Sequence, residues 1–337
     1  MFSPRPRPTH SSLVGRVPFL AALLLGVAAS ACSDDPAPVA PPEVATPELG
    51  RNVGANNRRI LFVSTREDSA GEVYSMNPDG TGIARLTESP RPDQDPAWSP
   101  DGKRIAFTSQ RHDTLGSELY IMDADGRNVT RLTNAAGFDV HPSWSKDGKS
   151  IAFASTRATD DPTNGDFDST DVFIVNVASR AVTQLTHSGR MDAYPAWSPD
   201  GKQIAFVSGR DLPNDELRAD LYVVNVDGGQ VSRLTYEGGL AVDPSWAPGG
   251  KEVAFTLQAA STGVDVYAVK ADTRQVTRLT RDGQSGFPSY SPDGKQITYA
   301  SAHEGNAEIY VMNAADGFGQ ARLTVNSAED LFPAWNR

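Results

Sequence analysis

Residues 93–107 read DQDPAWSPDGKRIAF, and this stretch decides the fold because its pattern returns throughout the chain. The centre of the pattern is P-x-[WY]-S-P-D-G-K, with some copies degenerate, and successive copies lie 44 to 53 residues apart. All five tryptophans of the sequence occupy its aromatic position. The six copies begin at Pro96, Pro142, Pro195, Pro244, Pro288 and Pro333. Such a period is typical of proteins built from one repeated supersecondary unit.

Each repeat contains four short runs with strand character. After the P-x-W run, an Asp-Gly turn suited to a hairpin leads into a run such as residues 105–107 (IAF). A third run, such as residues 119–122 (LYIM), and a short fourth run ending at [RQ]-L-T complete the unit. Four short antiparallel strands in about 45 residues are typical of a propeller blade.

The two ends of the repeat array predict how the ring closes. The first repeat enters at residues 60–63 (ILFV) without a P-x-W run, whereas the last repeat is a P-x-W run ending at Trp335. Together these two pieces make one whole blade. The sequence therefore predicts an all-β, six-bladed β-propeller closed by pairing of its N- and C-terminal strands, which removes exposed sheet edges.

The repeat also resembles a known family. D-x-x-P-x-W-S-P-D-G-K-x-I-A-F, followed by I-Y-V-M-N and R-L-T, resembles the TolB-type propeller repeat, also called PD40, over residues 59–337. The G-H and W-D pairs of WD40 propellers are absent. The resemblance implies a TolB-like propeller in the bacterial envelope. TolB carries an α/β domain before its propeller, and here a tether of about 25 residues stands in that place.

The N-terminal segment predicts export and lipid attachment. Residues 1–31 combine a basic start with the apolar run VPFLAALLLGVAA, which is typical of a signal peptide. Residues 29–32 (ASAC) resemble the bacterial lipobox, so Cys32 is the predicted lipidation site; an ordinary signal with a nearby cysteine is the alternative. Residues 32–57 read as a Pro-rich disordered tether, and residues 58–337 as the propeller. We expect lipid anchoring on the periplasmic side of the outer membrane or at the cell surface.

The charge balance narrows the class of partner. The chain has 42 Asp and Glu against 31 Lys and Arg. This excess of acid argues against nucleic acid as a partner, because a phosphate backbone needs neutralising cations. It favours an envelope protein or a basic peptide, with the membrane reached only through the N-terminal lipid. We expect the protein to be a monomer.

One acidic position recurs three residues before the repeat proline. It is replaced by Ala241 and Ser285 in two blades, and in the other four it is occupied by Asp93, Asp139, Asp192 and Asp330. Equivalent positions of a propeller form a ring, so these carboxylates are predicted to lie near the channel mouth, where they could bind Ca²⁺. The resemblance to TolB-like propellers also implies a cation-binding site at the channel mouth. The alternative is that each Asp caps the turn into its strand.

A second recurrent pattern predicts ion pairs across the hairpin between the second and third strands. The predicted pairs are Arg66 with Glu72, Arg111 with Glu118, Arg157 with Asp171, Arg210 with Asp220, and His303 with Glu308. The two long connections, residues 158–171 (ATDDPTNGDFDSTD) and 209–220 (GRDLPNDELRAD), are acidic. They are interpreted as solvated loops or as a docking surface for a basic protein.

Catalytic motifs are missing from the sequence. It contains no G-x-S-x-G elbow, no H-E-x-x-H and no phosphate loop. His141 directly precedes a repeat proline and is predicted to face the channel, where Asp95, Tyr194, Asp243, Phe287 and Phe332 occupy the matching position. Because aromatic residues replace it there, a shared catalytic duty is not expected.

Three functions therefore remain open. The favoured one is a non-enzymatic binding or scaffold module of the cell envelope that engages a partner through a propeller face and the channel mouth. The first alternative is a propeller enzyme related to prolyl oligopeptidases or pectate-fragment lyases, in which case further catalytic residues or converging metal-binding histidines are needed. The second alternative is a structural surface lipoprotein.

Overall fold

Twenty-four β-strands make up the described part of the chain. A computed structural model describes residues 58–67, 69–112, 116–159, 162, 169–211 and 218–336. The strands form six four-stranded antiparallel sheets. In those residues there is no helix that is both long enough and apolar enough to span a bilayer. The signal segment, Cys32 and the tether lie outside the described residues.

The six blades follow one another along the chain, and their strands have the following bounds. Blade 1 contains β1 (Ile60–Ser64), β2 (Glu72–Met76), β3 (Ala84–Arg85) and β24 (Asp330–Trp335). Blade 2 contains β4 (Asp93–Trp98), β5 (Arg104–Ser109), β6 (Glu118–Asp123) and β7 (Thr130–Arg131). Blade 3 contains β8 (Asp139–Trp144), β9 (Ser150–Ser155), β10 (Asp171–Asn176) and β11 (Val182–Gln184).

The second half of the ring repeats this order. Blade 4 contains β12 (Asp192–Trp197), β13 (Gln203–Ser208), β14 (Asp220–Asn225) and β15 (Ser232–Arg233). Blade 5 contains β16 (Leu240–Trp246), β17 (Glu252–Ala259), β18 (Gly263–Lys270) and β19 (Val276–Arg278). Blade 6 contains β20 (Ser285–Tyr290), β21 (Gln296–Ser301), β22 (Glu308–Asn313) and β23 (Ala321–Arg322). The fold is the six-bladed β-propeller that the repeat predicted.

Pairing of the two ends closes the ring. Strand β1 pairs antiparallel with β24, with Ile60 opposite Trp335 and Ser64 opposite Asp330. The P-x-W strands β4, β8, β12, β16, β20 and β24 each contact the next, and β24 contacts β4. The predicted closure is therefore confirmed, and the P-x-W strands surround the central axis.

The R-L-T motif finishes the outer edge of each blade. The six Thr hydroxyls each accept a backbone N–H of the third strand at 2.9–3.0 Å, as in the bond from Leu221 to Thr235. Thr235 Oγ1 in turn donates to Asp220 at 2.7 Å, and the Arg233 guanidinium lies 2.6 Å from the same carboxylate. Because the fourth strand is only two or three residues long, side-chain hydroxyls accept the backbone N–H groups of the third strand that it leaves without a ladder partner.

The apolar core lies between neighbouring blades. One cluster joins Leu61, Val73 and Leu86 of blade 1 to Trp98 and Phe107 of blade 2, and all five side chains are buried. The repeat tryptophan also bonds to the neighbouring blade in two places, since the indole N–H groups of Trp144 and Trp246 donate to the carbonyls of Ala97 and Ala196 at 3.1 Å. The tryptophan of the repeat therefore contributes to packing between blades.

This inter-blade bond predicts a difference between two otherwise equivalent tryptophans. Trp144 and Trp197 are similarly buried, but the Trp197 indole N–H has no partner among the described residues. Trp144→Phe should lower the free energy of unfolding by about 1 kcal/mol more than Trp197→Phe, because only the former removes a hydrogen bond. Urea unfolding of the two variants measures the difference. Equal losses would show that the bond contributes nothing.

Candidate functional site

A ring of six residues lines one cavity on the central axis. The cavity has a volume of about 170 Å³, and the residue directly before each repeat proline lines it: Asp95, His141, Tyr194, Asp243, Phe287 and Phe332. The prediction that His141 and its five counterparts face the channel is therefore confirmed. We call this set the channel ring.

The backbone has the same unusual conformation at all six positions. Every channel-ring residue has a positive φ, between 51° and 59°, which is uncommon outside glycine and strained for aromatic residues. The ladder between the first two strands skips these residues; in blade 2 it passes from Gln94 directly to Ala97. The proline that follows has no N–H to offer the ladder, so a bulge is tolerated there. The bulge places the preceding side chain against the cavity.

The order of the blades fixes which channel-ring residues face each other. Around the ring the residues read Phe332, Asp95, His141, Tyr194, Asp243 and Phe287. Asp95 and Asp243 are three blades apart and therefore lie on opposite sides of the axis. Between them, on one side, the His141 and Tyr194 rings stack with centroids 3.8 Å apart. On the other side Phe287 and Phe332 meet at 4.6 Å in a tilted arrangement.

The two carboxylates differ in environment. Burial, together with the charge of Asp95, raises the pKa of Asp243 to about 8, although a hydrogen bond from Thr256 acts against this. Thr108 Oγ1 donates to Asp95 Oδ2 at 3.1 Å, and His141 Nε2 lies 4.0 Å from the same oxygen. Burial lowers the pKa of His141 and raises that of Tyr194. At neutral pH the imidazole of His141, the phenol of Tyr194 and the carboxyl group of Asp243 are therefore all uncharged.

A wider cavity of about 430 Å³ adjoins the channel ring. The two cavities share five repeat prolines, from Pro142 to Pro333, and the wider one is also lined by Trp98, Trp144, Trp197 and Trp335. The channel thus has a narrow section with charged and aromatic side chains and a broader section with proline and tryptophan. The channel ring is the section in which side chains differ most from blade to blade.

The structure places the four predicted calcium ligands elsewhere. Each begins a P-x-W strand, is buried, and forms an ion pair with an arginine just beyond the second strand of its own blade. The distances are 2.5 Å for Asp93–Arg111 and 2.8 Å for both Asp192–Arg210 and Asp330–Arg66; Asp139 pairs with Arg157 in the same way. None of the four lines either channel cavity.

The calcium expectation is corrected accordingly. Each carboxylate is paired with a guanidinium of its own blade and lines neither channel cavity, so the structure does not present a shared channel-mouth site formed by Asp93, Asp139, Asp192 and Asp330. In the part of the chain that the structure describes, no group of three or more His, Cys, Asp and Glu side chains could hold a metal ion. The turn-capping alternative does not describe these residues either, since their carboxylates accept bonds from arginine and, for Asp139 and Asp192, from serine hydroxyls.

The predicted hairpin ion pairs are also wrong for the arginines. Each of these arginines lies over two aromatic rings of its blade, as Arg210 does over Phe206 at 5.0 Å and Tyr222 at 5.3 Å, and reaches inward to the aspartate. The acid that opens the third strand instead bonds outward to the R-L-T segment: Glu72 to Arg85, Glu118 to Arg131, Asp171 to Gln184, Asp220 to Arg233 and Glu308 to Arg322. His303 lies 3.8 Å from Asp282 rather than beside Glu308.

Sequence comparison of the repeats contains a signal for the correct pairing. The four blades with the aspartate also have S-x-R at the end of the second strand, as in Ser208 and Arg210. In blade 5 the aspartate becomes Ala241, and Leu257 stands opposite it in the ladder. In blade 6 Ser285 replaces the aspartate and its hydroxyl bonds to Asp282 at 2.7 Å. Aspartate and arginine thus occur together or are both absent.

The acidic loops are only partly described. In the loop of residues 158–171, residues 160–161 and 163–168 lie outside the described part, as do residues 212–217 of the loop of residues 209–220. Docking of a basic protein on these loops stays a prediction.

Comparison with known proteins gives a consistent family match. The PD40 family, described as the TolB β-propeller domain, matches residues 163–337, slightly more than half of the chain. A protein TolB homolog of Chlorobium luteolum is 34% identical over 170 residues, covering 48% of this chain and 33% of that protein. The Tol-Pal system protein TolB of Geobacter sulfurreducens is 33% identical over 74 residues, covering 22% and 17%. The chain thus spans a third or less of the length of these relatives.

Solved structures share the fold. TolB from Acinetobacter baumannii superposes with a TM-score of 0.70 at 24% identity, covering 82% of this chain and 66% of that one. An oligogalacturonate lyase in complex with manganese superposes with a TM-score of 0.57 at 18% identity, covering 79% and 74%. Likeness at these identities establishes the propeller alone, because one fold hosts many functions.

Proposed function

The chain belongs to the TolB β-propeller (PD40) family, and from this premise we propose that it is a non-enzymatic binding module of the bacterial cell envelope. In this proposal a protein or peptide partner enters the channel and contacts the channel ring. The relatives named as Tol-Pal system proteins support an envelope location. Export by residues 1–31 and lipid attachment at Cys32 would hold the propeller at the membrane surface, with the tether as spacer.

The channel ring is the observation that carries this proposal. All six blades keep the same strained left-handed backbone at this position, yet the side chains are two carboxylates, an imidazole, a phenol and two phenyl rings. By contrast, the R-L-T threonine, whose hydroxyl has a structural role, is the same in all six blades. Backbone strain retained around varied side chains is a feature of functional sites. The ring offers charge and aromatic surface, which are the properties that recognition uses.

A site-specific crosslinking experiment tests the proposal. A photoreactive phenylalanine analogue replaces Phe332 in the channel ring of the full-length protein, which is then expressed in the bacterium and illuminated. We expect a discrete crosslinked product, because the side chain at this position lines the cavity. The matched control is Phe318, which is 69% exposed and lies away from the channel in the turn between β22 and β23.

Two results would count against channel binding. One is the absence of any product from position 332 in several growth conditions. The other is an identical set of products from positions 332 and 318, which would indicate collisions in the crowded envelope rather than entry into the channel. A product unique to position 332 supports the proposal, and its identity gives the partner.

A further inference from the structure

The channel ring has an internal two-fold pattern. Two carboxylates face each other across the axis, and each is followed around the ring by two aromatic rings: His141 and Tyr194 after Asp95, and Phe287 and Phe332 after Asp243. The six residues lie at equivalent bulges with the same backbone conformation, so the backbone does not dictate which side chain occupies each position. Carboxyl groups at two opposite points and aromatic side chains between them define the chemistry that the cavity can accept.

We propose that this cavity binds one ammonium group, the terminal amine of a lysine side chain or of a peptide N-terminus, between Asp95 and Asp243. This inference rests on the proposed function, since it names the chemical group that the partner inserts into the channel. The three N–H donors of an ammonium group diverge, so it can address carboxylates on both sides of the axis at once. The aromatic side chains complete the lining between the two carboxyl groups.

The cavity fits an ammonium group better than a metal ion or a guanidinium group. A hard cation such as Ca²⁺ takes six to eight oxygen ligands, whereas four of the six channel-ring side chains are aromatic. A guanidinium group is planar and larger than an ammonium group. The volume of about 170 Å³ also favours a compact group.

Protonation of the ring should be coupled to this binding. The titratable groups around the cavity are Asp95, Asp243, His141 and Tyr194, and the other two channel-ring residues are apolar. Burial and the charge of Asp95 raise the pKa of Asp243 to about 8, so the empty cavity retains a proton there at pH 7. When an ammonium group enters, Asp243 releases that proton, and the ammonium group then neutralises the carboxylate. Affinity should therefore rise between pH 6 and pH 8, with release of one proton.

Isothermal titration calorimetry of the purified full-length protein at pH 8 tests the proposal. The probes are N-acetyl-lysine N-methylamide for the side-chain source and alanine N-methylamide for the N-terminal source. The neutral control is the Nε-acetylated lysine amide, and N-acetyl-arginine N-methylamide tests the guanidinium group. We expect saturable binding of at least one amine, at least tenfold tighter than of the acetylated or arginine compound. Whichever amine binds more tightly identifies the source.

Matched variants locate the binding. Asp95→Asn and Asp243→Asn should each weaken amine binding at least tenfold, whereas Asp227→Asn, at an exposed site between β14 and β15, should not change it. Circular dichroism confirms that each variant is folded. Binding that is equal for the neutral compound, tighter for the arginine compound, absent for both amines, or unchanged in both channel-ring variants would overturn the proposal.

The outcome can be separated from that of the proposed function. If crosslinking at position 332 persists in the Asp95→Asn/Asp243→Asn double variant, a partner enters the channel without an ammonium contact, and only this inference fails. If the amines bind as expected but no crosslink forms at position 332, the cavity assignment stands and the proposed partner does not.

Discussion

Arg210→Ala is expected to lower the free energy of unfolding by about 3–5 kcal/mol. Its guanidinium lies 2.8 Å from Asp192, whose side chain is fully buried, so the substitution leaves a buried carboxylate without its cation. It also removes the cation from above Phe206 and Tyr222. Urea unfolding at pH 7 measures the loss. Such a loss is large compared with the total stability of a typical domain.

Two further variants separate the buried pair from arginine loss in general. Arg127→Ala removes an arginine whose side chain is 76% exposed and pairs with Asp125 at 3.5 Å, and it should cost less than about 1 kcal/mol. The double variant Asp192→Ala/Arg210→Ala should be more stable than Arg210→Ala alone, because it leaves no unpaired charge. Blade 5 already has this arrangement in Ala241 and Ala259. A double variant less stable than the single one would contradict this account of the pair.

Asp243→Asn is expected to stabilise the protein progressively as the pH rises from about 4 to about 8. In the folded protein the pKa of Asp243 is about 8, whereas an unfolded aspartate has a pKa near its ordinary value of about 3.9. Between these values the unfolded state has released the proton that the folded state keeps, so wild-type stability falls as the pH rises. Asparagine is neutral in both states and lacks this slope.

The difference between the two proteins should be near zero at pH 4 and on the order of a few kcal/mol at pH 8, above which it levels off. Urea unfolding at intervals of one pH unit gives the two curves. Other buried acids, such as Asp139 with a pKa of about 6, titrate in both proteins and cancel in the difference. The control is Asp227→Asn, at an exposed site. A constant difference between pH 4 and pH 8 would show that Asp243 ionises normally in the folded state.

The errors at the charged residues have a common physical cause. Arg66 and Glu72 are close in sequence and lie on either side of one hairpin, so a local view pairs them. In the structure Arg66 follows the faces of Phe62 and Tyr74 inward to Asp330, and Glu72 turns outward to Arg85 and Thr87. Each charged side chain has more than one oppositely charged neighbour, and the packing of the blade determines which of them it contacts. Local spacing does not contain that choice.

The sequence by itself determined the repeat, the six blades, the closure of the ring through β1 and β24, and the six residues that face the channel. It could do so because each blade uses the same local code of turns, strand alternation and R-L-T edge, so one reading is repeated six times. Only the tertiary structure decided that Asp93, Asp139, Asp192 and Asp330 are buried in ion pairs, and that the rings of His141 and Tyr194 stack. Those facts depend on which side chains meet between strands and between neighbouring blades, and such contacts exist only in the folded protein.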